Sequence, residues 1–110
     1  MARLSAFFVD CSEDTWDEGV RFWGAAFGVE PRPTDFDEYL ELPGAIPGIT
    51  VELQRIGSES RFHIDFEADD VEAEVRRFEA LGATRVGPVE DWWVLRAPTG
   101  HLFCVVPTAH

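Results

Sequence analysis

The sequence contains no lysine. All nine basic residues are arginine, which excludes Schiff-base formation and lysine general-base chemistry. Cysteine is scarce: Cys11 and Cys104 stand far apart without CxxC spacing, a pattern that describes neither a disulfide framework nor a structural zinc knuckle and that fits a reducing cytoplasm. No apolar run reaches the eighteen or so residues that a membrane span requires. The opening stretch from Met1 to Asp10 carries Arg3 and about six apolar or small residues, too few for a secretion signal. Positive charge is outweighed by twenty-one acids, giving a formal net charge of −12. Such a surface repels phosphate backbones, which excludes nucleic acid and anionic membrane as partners and leaves neutral or cationic small molecules. Phosphate-binding glycine loops, nucleotide fingerprints and a Ser-His-Asp arrangement are also missing.

What remains is a chain of 110 residues, 45% hydrophobic and 27% charged, long enough for one domain with one core. Leu4 to Val9 reads as a strand, followed by a turn-rich acidic group. Thr15 with Glu18 fits a capping box, and Asp14 and Asp17 supply the acid a helix start favours. Trp16, Val20, Trp23 and Phe27 then form one apolar stripe that stops at Gly28. Pro31 and Pro33 break the chain, Phe36 to Leu42 reads as a strand, and a Pro/Gly loop leads to another from Ile49 to Ile56. The acids Asp35, Asp37, Glu38 and Glu41 around that strand suit a solvated edge.

The pattern then starts again. Arg61 to Phe66 alternates like a strand, Asp69 and Glu72 open a second helix, and Val71, Val75, Phe78 and Leu81 make its stripe, closed by Gly82. Strands follow at Thr84 to Val89, Trp92 to Arg96 and Leu102 to Pro107, with Ala97 to Gly100 as a hairpin turn. The repeat pairs Asp14 with Asp70 and Gly28 with Gly82. It predicts an α+β fold of two βαβββ modules, about residues 1–56 and 57–110, whose curved mixed sheet wraps a cavity with the helices outside.

Strand alternation sorts the side chains. Phe62, Ile64 and Phe66 should pack on the helices, leaving His63 and Asp65 on the groove face; Val51 and Leu53 should pack likewise, leaving Thr50, Glu52 and Gln54. Glu52 and His63 are therefore expected to converge, where a carboxylate and an imidazole can ligate a divalent ion or act as base and acid. Equally, both can be polar residues of a solvated sheet. Trp92 and Trp93 must face opposite sides, so one lines the groove. Cys104 lies in an apolar strand, as a small buried hydrophobe or as a ligand. Cys11 precedes a helix N-terminus, where a thiol pKa falls. His101 reads as a turn residue and His110 as a mobile terminus.

Taken together, Arg21 to Gly28, Val51 to Arg55, Phe62 to Phe66 leading into Asp69 to Val75, Leu81-Gly82-Ala83 and Pro98-Thr99-Gly100 before Phe103-Cys104-Val105 make the chain similar to the vicinal oxygen chelate superfamily. This is the glyoxalase, bleomycin-resistance and dioxygenase group, and the resemblance is to its short glyoxalase-like members common in actinobacteria. It implies paired βαβββ modules and, in metal-using members, one ligand from the first and last strand of each module. Carried over, Glu52 and His63 match ligand types, whereas Phe7 and Cys104 stand where ligands are usual, and Ala97 replaces a common aspartate.

Three readings follow. In one, the protein binds a small molecule without the full metal site, with Phe7, Gln54, Asp65 and Trp92 or Trp93 lining its pocket. In another, it is a lyase or dioxygenase in which Glu52, His63 and Cys104 hold zinc, nickel, iron or manganese, with Glu52 and His63 catalytic. The last is a dimeric interaction module. Look-alikes of this size imply a homodimer.

Overall fold

The computed structural model describes residues 1–108; His110 lies outside them. The fold is mixed α+β, with five elements repeated once in the order strand, helix and three strands. They are β1 (Arg3–Ser12), α1 (Trp16–Phe27), β2 (Arg32–Pro33), β3 (Tyr39–Glu41) and β4 (Thr50–Ile56), then β5 (Arg61–Ala68), α2 (Val71–Ala80), β6 (Thr84–Val89), β7 (Trp92–Arg96) and β8 (Leu102–Pro107). The chain divides into two compact units. The first is Ala6–Phe62, and the second combines Met1–Ser5 with the described residues from His63 onward. No helix among the described residues is long and apolar enough to cross a membrane.

In the first unit the strands run β2, β3, β4, β1 across the sheet. The first and last strands are parallel neighbours, with Phe8 beside Glu52 and Asp10 beside Gln54, while β3 and β4 are antiparallel. Val9, Cys11, Leu42, Val51 and Leu53 form the buried core, and Trp16, Val20, Trp23 and Phe27 of α1 pack on it as the stripe predicts. At its C-terminus α1 closes on Gly28, whose φ of 69° is the left-handed geometry that glycine adopts without a Cβ penalty.

The second unit repeats the plan as β5, β8, β7, β6, with β5 and β8 parallel and β7 antiparallel to both its neighbours. Its core holds Ala68, Val75, Ala83, Leu95, Phe103 and Val105, covered by Ile64, Phe66, Val71, Phe78 and Trp93. Phe66, Phe78 and Phe103 meet with ring centroids 5.1 to 5.9 Å apart, within the range where edge-to-face aromatic contacts add to burial.

Several local expectations are corrected. Thr15 does not cap α1 through its side chain; a short 3₁₀ turn over Glu13–Thr15 intervenes, and the Thr15 hydroxyl is drawn back to Ser12 at 2.7 Å, so no capping box with Glu18 forms. The N-cap of α2 is Asp70 rather than Asp69: its carboxylate accepts from the Ala73 amide at 3.0 Å, while Asp69 accepts from the Thr108 hydroxyl. Leu81 falls just past the helix end and is exposed. The strand expected over Phe36 to Leu42 is confined to Tyr39–Glu41 because Phe36 and its neighbours form a bend held by the Thr34 hydroxyl. The acidic stretch does not make an edge, since β2 pairs outside β3 and Arg32 meets Glu41 at 2.7 Å.

Candidate functional site

The caps set the true equivalence of the two halves. Thr15 in the first corresponds to Asp70 in the second, so the residue standing before Thr15 as His63 stands before Asp70 is Phe8 rather than Phe7, and Asp10 then corresponds to Asp65. Phe7 packs on the core beneath α1 and stacks on Phe62 at 5.5 Å. The wall expected of Phe7 therefore belongs to Phe8, which alternation places on the opposite face beside Glu52. Phe8 offers a cation no ligand atom, as Phe7 would not have.

On that face of the first unit, Glu52 is partly buried, in register with Phe8 and with Glu41 of β3. One step along, Gln54 donates from Nε2 to the Tyr39 hydroxyl at 2.9 Å. Beside Gln54 stands Asp10, fully buried, with one carboxylate oxygen 3.2 Å from Arg61 Nε. Burying an ionised carboxylate is costly unless it is paired, and Arg61 supplies that pair. The pairing was not legible in the sequence: Asp10 closes an apolar run and reads as the start of a turn.

In the second unit alternation works as expected. Ile64 and Phe66 turn to the core and leave His63 and Asp65 on the other face. The parallel register sets Asp65 opposite Cys104, and Val94 of β7 pairs with Cys104 from the far side. His63, Asp65 and Cys104 thus meet across adjacent strands. Among the described residues they form the one group of three such side chains whose ligand atoms all lie within 4.8 Å of one another. His63 Nε2 stands 3.7 Å from an Asp65 carboxylate oxygen. That is too long for a hydrogen bond and a little longer than the roughly 3.3 to 3.5 Å between a nitrogen and an oxygen ligand on one tetrahedral zinc. The side chains of His63 and Asp65 are 14% and 11% exposed, so charge there is poorly screened. The Ser5 hydroxyl donates to the Asp65 carbonyl at 3.3 Å, tying this stretch of β5 to the start of the chain.

The tryptophans divide as the pleat requires. Trp93 is part of the core layer, its ring under the Arg85 guanidinium at 4.6 Å; Trp92 is left on the face of Val94 and Cys104. Of the two expected pocket walls, Trp93 is therefore a packing residue. Asp65, read in the sequence as a pocket residue, stands in the group with His63 and Cys104. His101 is a turn residue, its Nδ1 2.7 Å from the Thr99 hydroxyl. Cys11 departs from expectation: burial, and then the adjacent Asp10, push its thiol pKa up rather than down, because the sulfur sits in the core and not at the helix end.

A family model for the glyoxalase-like domain matches residues 6–106. The chain belongs to that family. Glyoxalase-like domains fall within the superfamily whose motifs the sequence carries, and the fold is shared widely. A hypothetical protein from Bacillus halodurans C-125 superposes with a TM-score of 0.71 over 97% of this chain and 94% of its own, at 13% identity. A protein described as an NAD-dependent benzaldehyde dehydrogenase from Legionella pneumophila gives 0.65 over 91% and 95%, at 10% identity. The 2,3-dioxygenase LapB of Pseudomonas sp. KL28 gives 0.59, covering 96% of this glyoxalase-like chain and 40% of the larger enzyme, at 15% identity. At such identities the likeness is one of fold. No curated protein matches the sequence.

Proposed function

We propose that this glyoxalase-like domain binds an oxygen-bearing small molecule at a soft divalent metal centre held by His63, Asp65 and Cys104, and acts on it as a lyase or dioxygenase. The observation that supports the reading is the meeting of the three ligand atoms within 4.8 Å. One imidazole, one carboxylate and one thiolate form a zinc-type donor set, also suited to nickel or iron; a hard ion such as manganese or magnesium prefers oxygen ligands. Phe8, in the first-strand position corresponding to His63, contributes nothing to such a site.

His63, Asp65 and Cys104 would hold the ion, which would supply Lewis-acid polarisation of an oxygen on the bound molecule. The chain's own residues do the rest. Asp65 and His63 hold their side chains in a half-closed, low-dielectric face, and Trp92 and Val94 give it an apolar border. Ser5 fixes the Asp65 backbone. Without a metal, the same face with its Trp92 and Val94 border favours a second reading, simple small-molecule binding.

The test is metal analysis of protein dialysed against zinc, nickel, iron and manganese, followed by cobalt replacement. One equivalent of zinc and a thiolate-to-cobalt charge-transfer band, lost in Cys104→Ala, are expected. Absence of stoichiometric metal from every sample overturns the metal reading, after which ligand-induced stabilisation in chelator tests the second one.

A further inference from the structure

The first unit carries a cavity on its helix side that the metal-centre reading does not use. Its volume is about 410 Å³, inside the range of small-ligand pockets. Val9 and Cys11 of β1 form the floor, α1 forms one wall with Glu18, Phe22 and Trp23, and Phe62 closes the other. Two of these rings are unusually open for their type: Phe22 is 62% exposed and Phe62 55%. Both lean edge-to-face on Trp23, at 5.0 Å and 5.8 Å, so the three make one continuous aromatic patch instead of scattered exposed side chains. Gly19 lets α1 lie close against β1: a Cβ there would stand 2.9 Å from the Cys11 sulfur.

The charges around this cavity favour one sign. Glu18 lies one helical turn before Phe22, on the same face, and makes no ion pair among the described residues. Asp10 and Arg61 also border the cavity, and their 3.2 Å pairing cancels the two charges against each other. The chain as a whole carries a net −12, which concentrates cations and repels anions. Aromatic faces attract cations in addition. We infer that this cavity is a binding site for a small hydrophobic monocation, an aromatic or alkyl ammonium. Its apolar body lies against Phe22, Trp23 and Phe62, and its ammonium group meets the Glu18 carboxylate. The site is independent of the proposed metal centre, whose ligands belong to the other unit.

The test titrates the full chain, in chelator so that the outcome is separate from metal binding, with 2-phenylethylammonium, neutral 2-phenylethanol and anionic 3-phenylpropanoate, followed by two-dimensional NMR. The cation should bind tightest and the anion weakest, with shifts centred on Glu18, Phe22, Trp23 and Phe62. Glu18→Gln should weaken the cation about three- to fivefold and leave the alcohol unchanged. Phe22→Ala should weaken both. Each variant replaces an exposed side chain, so folding is retained and a melting curve verifies it. The inference is overturned if no probe saturates, if the anion binds as well as the cation, or if Phe22→Ala leaves affinity unchanged. It is overturned as well if dilution shows the patch to be covered by a second copy of the chain.

Discussion

Replacing Cys104 with alanine removes one donor of three and leaves the fold's cores untouched, because the side chain lies on the face opposite Phe103 and Val105. Unfolding entropy is about 2.1 cal/mol/K per residue, so a 110-residue domain gains about 4 °C in Tm for each kcal/mol of added stability. Zinc supplied at one hundred times its measured Kd stabilises the native state by about 2.7 kcal/mol, which corresponds to about 12 °C. Loss of a direct ligand raises Kd by at least about 100-fold, beyond the usual effect of losing a supporting group. The same zinc concentration then equals Kd for Cys104→Ala, and the gain falls to about 0.4 kcal/mol, or about 2 °C. Differential scanning calorimetry of both proteins, each in zinc and in chelator, isolates this metal-dependent increment from any cost of the substitution itself. Equal increments in the two proteins, or none in the unmodified chain, would refute the reasoning.

Two further outcomes are expected. Asp70→Ala should cost about 1 kcal/mol in urea denaturation, the usual loss for an N-cap whose carboxylate bonds the helix amide; Thr15→Ala, whose hydroxyl serves Ser12 and not the helix, should cost clearly less, and equal costs would contradict the assigned caps. Cys11 should make stability sensitive to alkali: its thiol pKa is raised in the folded state by burial and then by Asp10. Its contribution is complete below the ordinary thiol range and is lost as pH rises through that range toward the folded value. Cys11→Ala should abolish this slope in melting curves taken at increasing pH.

Periodicity made the layout readable. Stripes such as Trp16, Val20, Trp23 and Phe27 are properties of one helix and need no knowledge of partners, and the strands β6, β7 and β8 were bounded by glycine, proline and charge. Alternation likewise placed His63 and Asp65 opposite Ile64 and Phe66. The misplaced residue was Phe7. In the run Phe7-Phe8-Val9 every position is apolar, so parity has nothing to register, and only the cap geometry, Thr15 against Asp70, shows that Phe8 is the counterpart of His63. Cap choice itself was ambiguous between Asp69 and Asp70, which differ in where one amide points. The grouping of Asp65 with Cys104 depends on the register between β5 and β8, a relation between strands distant in sequence. Arg61 and Asp10 were hidden for the same reason.

The first strand is shared property. Its opening residues belong to the half of the molecule made last, where Arg3 meets Glu67 at 2.7 Å and Ser5 reaches the Asp65 carbonyl at 3.3 Å, whereas its remainder belongs to the half made first. A gene cut at the midpoint would therefore deliver a C-terminal fragment stripped of its own N-terminal brace, beside the residues proposed to do the chemistry.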